Sequence, residues 1–186
     1  VRLLENGGSA IYSGNFVDRG NRVKSKNSYD IGNQNPLEFL FGNERGYAQT
    51  SSFVLKKSVF EKVKWDESLN RNQDYDFFIR IQKVFGWKFD EINTTTVYWP
   101  KNIIRNIHIP SFDIFISKFC DDFNETTYAN YYFDRLMDSC MLKGDEFLII
   151  RNKGAISLKK LTGIKLIVSH SKILMKIVWI INQNFK

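Results

Sequence analysis

The chain has 186 residues, of which 43% are hydrophobic and 15% aromatic, and its formal net charge is +7. This length is sufficient for a buried core, and the composition excludes a disordered or collagen-like chain. Residues 147–186 hold eight of the 27 basic residues and no acid, so the basic character belongs to the C-terminal tail and the rest of the chain is close to neutral.

No stretch of the sequence reaches the length of a membrane span, and no secretory signal opens it. We therefore expect a cytoplasmic protein, located at the inner face of the membrane if the basic tail binds lipid. Cys120 and Cys140 have no metal-binding spacing with the two histidines. We expect both to be buried thiols in a reducing compartment.

The N-terminal part of the chain predicts little helix. Residues 1–6 are typical of a helix end stopped by two glycines, and residues 10–17 predict a strand followed by a turn at residues 18–21. Residues 24–35 are rich in Asn, Ser and Gly and predict a loop.

Two short helices and a strand are predicted next. Residues 36–42 predict a helix or turn, and Ser58 with Glu61 forms a capping-box pattern that opens a second helix. Between them, residues 48–55 predict a strand with three hydroxyl residues in its middle, namely Thr50, Ser51 and Ser52. The pattern alone fits either a strand that faces water or the wall of a pocket.

The clearest helix lies in residues 65–89, WDESLNRNQDYDFFIRIQKVFGWKF. Its apolar residues recur at helical spacing, and Gly86 is expected to end it. Asn70 and Asn72 precede it, where side-chain oxygens can cap free backbone N–H groups. Asp76 and Arg80, four residues apart, are expected to pair on the surface.

Asp74 and Asp76 both fall in the first turn of this helix, where the helix dipole favours negative charge. Asp74 follows a polar loop directly, so its carboxylate is also placed for proton transfer. From spacing alone, both interpretations of Asp74 stay open: a residue that complements the dipole, or a catalytic residue.

Four motifs around this helix stand in a fixed order. They are GYAQTSSFVLKK (46–57), VFEKV (59–63), WDESL (65–69) and QDYDFFIR (73–80). In order and spacing they resemble the acceptor half of family 2 glycosyltransferases, enzymes with the GT-A fold. The resemblance covers roughly residues 46–92 and, more loosely, residues 1–110. The family's commoner pair is Glu-Asp, where this chain has Gln73-Asp74, a variant that also occurs in the family.

The resemblance implies that Asp74 is the catalytic base and that Gln73 and Tyr75 shape the acceptor side, with Thr50 and Ser51 in the wall of the sugar pocket. It implies a nucleotide-diphosphate-sugar donor, a glycan or lipid-linked acceptor, and transfer with inversion. Mg or Mn would hold the diphosphate in the intact enzyme. The family's main metal ligands belong to a nucleotide-binding half that this sequence lacks, so we expect an incomplete enzyme, inactive as this chain alone.

Residues 87–99 predict an extended run rich in threonine, followed by an apolar stretch at residues 103–109. In some members of the resembled family a histidine after this strand helps to bind the metal, which makes His108 a candidate ligand. The alternative is a structural histidine. Two helices are then predicted, at residues 111–123 and 126–142.

The tail, residues 157–185, predicts helices interrupted at residues 162–163. One predicted face is apolar (Ile164, Ile167, Val168, Leu174, Ile177, Val178, Ile181) and the other polar (Lys165, Ser169, Lys172, Lys176). Such a basic amphipathic helix suits peripheral contact with an anionic membrane, or packing on the body or a partner. No nucleic-acid motif is present, and we expect no nucleic-acid partner.

Together these patterns predict an α/β fold with a small mixed sheet, flanking helices and a helical C-terminal extension, and the resemblance implies that it is a partial GT-A-like fold. The predicted divisions are residues 1–110, 111–156 and 157–186. The function predicted is sugar transfer in surface polysaccharide or glycan biosynthesis. The alternatives are a non-catalytic membrane- or partner-binding module and an unrelated α/β binding domain.

Overall fold

A computed structural model describes residues 8–18, 23–26, 28–93, 95–98, 107–142, 144–161 and 163–185. The helix end predicted at residues 1–6, most of the turn at 18–21 and the apolar stretch at 103–106 lie outside these residues. The described part of the chain is a mixed α/β fold, which confirms the predicted class.

Helices supply most of the regular structure. They are α1 (Pro36–Phe41), α2 (Lys57–Val63), α3 (Gln73–Val84), α4 (Ile109–Phe119), α5 (Glu125–Ser139), α6 (Glu146–Lys153), α7 (Ala155–Leu158), α8 (Gly163–Ser169) and α9 (Lys172–Phe185), with 3-10 turns at Thr50–Ser52 and Cys120–Asp122.

Six short strands form two three-stranded mixed sheets in the described residues, where a single small sheet was predicted. They are β1 (Ala10–Ser13), β2 (Asn15–Asp18), β3 (Val23–Lys26), β4 (Val54–Leu55), β5 (Lys88–Asp90) and β6 (Thr96–Tyr98). The strand orders are β4-β1-β5 and β3-β2-β6, and the β1–β5 and β2–β6 pairs are parallel.

The predicted strand at residues 10–17 is therefore two strands, separated at Gly14, and the extended run at residues 87–99 is interrupted at residues 91–93 and 95. The two interruptions lie side by side, because β1 pairs with β5 before them and β2 pairs with β6 after them. Both segments therefore leave the first sheet and enter the second at this point. Part of the predicted loop at residues 24–35 is strand β3, which pairs antiparallel with β2. Its exposed polar side chains suit an edge strand, which is why composition alone indicated a loop.

The predicted strand at residues 48–55 was mostly wrong. Only Val54 and Leu55 are strand, and Thr50–Ser52 form a 3-10 turn. The Ser52 hydroxyl and backbone N–H both donate to the carbonyl of Gln49, at 2.8 and 2.9 Å. Short hydroxyl side chains compete with ladder hydrogen bonds in this way and favour turns.

One hydrophobic core joins all three predicted segments of the chain and is largely aromatic. Around β1, Tyr12 lies edge-on to Phe39 and to Phe78, while Phe78 stacks on Trp87 with ring centroids 5.2 Å apart. Each such pair contributes about 0.5–1.5 kcal/mol beyond its buried area.

A second aromatic group lies under the helical extension. Phe41 of α1 lies edge-on to Tyr75 of α3 and to Tyr131 of α5, with centroids 5.2 and 5.0 Å apart, and Phe115 of α4 stacks on Tyr131. Since Phe39 and Phe41 belong to one short helix, α1 connects the two aromatic groups.

The helix predictions that fall within the described residues were confirmed except at some of their ends. Asn35 caps α1 by accepting from the Leu37 N–H, but α2 begins at Lys57 without a side-chain cap, so the predicted capping box at Ser58 is wrong. The helix predicted at 111–123 ends at Phe119 and continues as a 3-10 turn. Gly86 follows α3 with φ +70°, a left-handed conformation that favours glycine.

The tail is helical as predicted, with a further break between α8 and α9, but its faces are not those predicted. Val168 of the predicted apolar face is buried, yet Ile167 is 64% exposed and the predicted polar residue Ser169 is buried. Cys140 is buried as expected, whereas Cys120 is exposed because it lies in the turn after α4.

Candidate functional site

Asn72, the residue before α3, has a left-handed backbone (φ +66°) and makes no side-chain cap. The predicted capping by this residue was therefore wrong. Its side chain instead reaches α5: the amide donates to the Tyr131 hydroxyl at 2.8 Å, and Arg135 donates to the amide oxygen at 3.2 Å. The loop that precedes Asp74 is thus fixed by side chains 59 and 63 residues further along the chain.

Both partners of Asn72 are buried groups with shifted proton affinities. Burial raises the pKa of the Tyr131 phenol above its ordinary value, so its hydroxyl stays protonated. Burial opposes the charge of Arg135, but Asp138 and neighbouring groups outweigh burial and raise the pKa of its guanidinium. Asn72 is therefore held by a neutral hydroxyl and a permanent cation.

A second chain of hydrogen bonds fixes Asn70 to α4. The Asn70 backbone N–H donates to the Ser111 hydroxyl at 2.8 Å, and that oxygen lies 2.7 Å from Nδ1 of His108. Nδ1 also accepts the Ser111 N–H, so His108 caps α4. Nε2 of His108 lies 3.4 Å from the Asn70 side-chain amide. Both ring nitrogens therefore take part in holding the loop.

Asp76, in the first turn of α3, is fully buried, so its predicted pairing with Arg80 is correct but does not occur on the surface. Arg80 binds one carboxylate oxygen, at 2.6 Å, and Lys118 of α4 binds the other, also at 2.6 Å. Lys118 also pairs with Asp66, and Arg80 donates to the Val63 and Lys64 carbonyls at the end of α2. Asp76 therefore joins three helices through charged contacts.

Asp74 has different surroundings in the same turn. It is half-buried, and the one hydrogen bond it makes in the described residues is a long one, 3.5 Å from the Thr50 N–H to its Oδ2. It belongs to none of the ion pairs in that part of the chain. Because residues two apart on a helix point in different directions, Asp74 faces away from the Asp76 network and toward the Thr50–Ser52 turn.

Polar groups converge on the other side of this turn. Asn15 of β2 is fully buried and donates to Gln49 Oε1 at 3.0 Å, and the Tyr47 hydroxyl also binds that oxygen. The Asn15 Oδ1 atom is buried without a hydrogen-bond partner in the described residues. The turn that contacts Asp74 is thus attached to both strand β2 and the loop at residue 47.

The remaining predicted site residues lie close by in the chain. Gln73, the first residue of α3, is exposed, while the half-buried ring of Tyr75 packs on Phe41. Ser51 is exposed, and its carbonyl accepts a hydrogen bond from the Thr95 hydroxyl at 3.0 Å. The structure brings Thr50 and Asp74 into contact, and it places His108 against Asn70.

No group of three or more His, Cys, Asp or Glu side chains in the described ranges could hold a metal ion. The part of the chain that the structure describes thus contains no such group for Mg or Mn, and we assign no step to a metal on this chain. Ligation by His108 stays a prediction.

Sequence reasoning missed three members of this constellation. Tyr47 and Gln49 lie inside the motif at residues 46–57, so their polar side chains were visible but unassigned. Asn15 gave one signal: it sits in a strand beside Val17, at a position that alternation would bury. A buried amide in such a position needs partners from elsewhere in the fold.

The arrangement suits proton transfer. A carboxylate acts as a general base when a lone pair is open to a reacting hydroxyl and its backbone is fixed. Asp74 meets both conditions, since it has one long hydrogen bond and lies in a helix turn fixed by the Asn72 contacts. Asp76 meets only the second, because cations occupy both of its oxygens.

Part of the chain is similar to a curated protein, the amylovoran biosynthesis glycosyltransferase AmsB of Erwinia amylovora, with 38% identity over 81 residues. The match covers 42% of this chain and 26% of that protein, so the chain matches about a quarter of its relative's length. No protein-family model matches the chain, and no solved structure shows significant similarity to it. The similarity supports a relationship to glycosyltransferases of polysaccharide biosynthesis.

Proposed function

We propose that the chain forms the acceptor side of a family 2 glycosyltransferase of polysaccharide biosynthesis with the GT-A fold, and that Asp74 is its catalytic base. The observation that carries this proposal is the contrast in the first turn of α3, where Asp76 is neutralised by two cations and Asp74 is not. The similarity to a glycosyltransferase supports the reaction class.

The donor in this proposal is a nucleotide-diphosphate sugar, and the acceptor is a hydroxyl of a glycan or of a lipid-linked sugar. The acceptor oxygen forms a bond to the anomeric carbon as the bond from that carbon to the diphosphate breaks. The acceptor's proton passes to the Asp74 carboxylate, and the nucleoside diphosphate leaves with the electron pair. Attack opposite the leaving group inverts the anomeric configuration. A divalent cation held elsewhere in the full-length protein would stabilise the diphosphate.

Neighbouring residues position the acceptor in this scheme. Gln73 is exposed beside Asp74 and can donate hydrogen bonds to a sugar. The Tyr75 ring packs on Phe41 and thereby helps to hold this turn of the helix in place. Thr50 lies against the base itself, so its side chain and that of Ser51 would border the bound sugar.

The test is Asp74→Asn in the full-length protein, measured as release of nucleoside diphosphate from a panel of nucleotide sugars with a polysaccharide acceptor. We expect kcat to fall by about 10²–10⁴ with a smaller change in KM, because general-base catalysis contributes that factor. The matched control is Glu67→Gln, an exposed acid in the preceding loop, which should leave kcat unchanged. A normal rate for Asp74→Asn would remove Asp74 from this role.

A second measurement separates the base from the fold. Asp74→Glu keeps the carboxylate and should retain more activity than Asp74→Asn, while both variants should unfold at the temperature of the wild type. Product of retained anomeric configuration, read from the proton coupling of the new linkage by NMR, would contradict the inverting mechanism.

A further inference from the structure

The last helix, α9, is apolar on two faces. Its inner face packs on the body through buried Met175, with half-buried Val178 and Trp179 beside it. Its outer face carries Ile173, which is 71% exposed, and Ile177 and Ile180, each 47% exposed. A helix on the surface of a soluble protein needs only one apolar face, which packs on the core. The second apolar face, on the outside of α9, therefore indicates contact with a partner.

The three isoleucines form a continuous row. They stand at positions i, i+4 and i+7, which lie on one side of a helix. The predicted apolar face of the tail combined residues that the structure separates, since Val168 is buried on the body and Ile177 is open to solvent. The exposed row is therefore defined by the packing of α9 and could not be read from the sequence.

A lysine borders this row. Lys176 is three residues after Ile173 and four before Ile180, so it neighbours both on the helix surface. Lys172, one turn earlier, faces the body instead: its ammonium lies 5.9 Å from the centre of the Phe147 ring and donates to the Gly144 carbonyl at 3.4 Å. Residues 147–186 contain eight basic residues and no acid, so nothing within this stretch offsets their charge.

The charge of the tail distinguishes between the two partners that could cover this apolar row, a second copy of the chain and a lipid surface. A second copy of the chain would meet the row through the same surface, which would bring two basic stretches together. Lys153 and Lys160 pair with Asp113 and Glu125 of the body, but the stretch holds more basic residues than these two acids offset. An anionic lipid surface supplies both an apolar layer for the isoleucines and phosphates for the lysines. No described helix is long and apolar enough to cross a bilayer.

We propose that α9 binds in the plane of an anionic membrane surface, with Ile173, Ile177 and Ile180 entering the boundary of the acyl chains and Lys176 at the headgroup phosphates. This contact is independent of the proposed sugar transfer, and either can fail without the other.

The test is co-sedimentation of the protein with vesicles of phosphatidylcholine alone and of phosphatidylcholine mixed with phosphatidylglycerol. We expect binding to the mixed vesicles, weaker binding as salt rises, and little binding to the neutral ones. Ile173→Asp with Ile177→Asp should weaken binding by about tenfold or more per residue. Lys176→Gln should weaken binding to the mixed vesicles by about fivefold.

The matched control is Val84→Asp with Ile92→Asp, which places the same charges at exposed apolar positions of the body, 66% and 68% exposed. This variant should bind like the wild type. Equal binding by the Ile173/Ile177 variant and the wild type would overturn the proposal. So would a dimer in sedimentation analysis that the same variant dissociates, if the wild type does not bind vesicles.

Discussion

The two sides of the first turn of α3 carry the same chemical group in opposite surroundings. On the side of α2 and α4, the carboxylate of Asp76 is fully buried and paired with Arg80 and Lys118. On the side of the Thr50–Ser52 turn, the carboxylate of Asp74 is half-buried and makes one long hydrogen bond in the described residues. A helix dipole favours an acid at either place, so the neighbouring cations decide which acid is structural.

The largest expected effect separates the two acids by stability. Asp76→Asn should lower the free energy of unfolding by about 3 kcal/mol, because it leaves two cations beside a buried group that no longer carries charge. Asp74→Asn should change it by less than about 1 kcal/mol, the size of a dipole contribution. Urea denaturation of the two isosteric variants measures both. Equal losses would mean that the two sides of the turn do not differ as described.

A smaller effect should come from the loop that fixes the turn. Asn72→Ala removes the bonds to Tyr131 and Arg135 and also places alanine, which adopts a left-handed backbone less readily than asparagine, at this position, so we expect a loss of about 2 kcal/mol. Asn72→Gly removes the same bonds but tolerates that backbone, and should lose about 1 kcal/mol. Thermal unfolding of the two variants separates the contribution of the hydrogen bonds from that of the backbone conformation. Identical losses of stability would show that backbone strain contributes nothing.

The smallest expected effect concerns Asp66, the second acid bound by Lys118. A hydrogen bond from Lys118, supported by Ser68, lowers its pKa from 3.8 to about 2. A lowered pKa stabilises the fold above the unfolded value, and this contribution is lost as the pH falls from about 3.8 to about 2. Asp66→Asn should therefore cost less than about 1 kcal/mol at neutral pH, since the group is partly exposed.

The difference in stability between the wild type and Asp66→Asn should shrink over that pH interval, as measured by urea denaturation at a series of pH values. Glu67→Gln, which removes the charge of an exposed neighbour, is the matched control and is measured over the same pH series. A difference that stays constant down to pH 2 would contradict the assigned pairing with Lys118.

The sequence predicted those features that local chemistry determines. The spacing of Phe77, Phe78 and Ile81 places α3 correctly, and Gly86 ends it because that position needs a positive φ. The first-turn position of Asp74 was visible for the same reason. The segment at residues 48–55 failed because its hydroxyl side chains bond to their own backbone, an outcome that strand propensity does not weigh.

Contacts between distant residues could not be predicted. Asn72 was expected to cap α3, which is the local role of an asparagine at that position, but Tyr131 and Arg135 bind its side chain instead. The burial of Asp76 is equally non-local, since Lys118 comes from α4. The candidate site therefore combines a locally encoded carboxylate with a setting that only the tertiary fold supplies.

The bonds from α5 to Asn72 have a consequence for how this protein can be recombined. A chimera with its breakpoint between β6 and α4 would keep Asp74 but exchange Tyr131 and Arg135 for residues chosen in another context. The donor of the new C-terminal segment would have to bring the same hydroxyl and guanidinium. Inheritance of one block, from Gly46 through α5, is the simplest way to keep these partners matched.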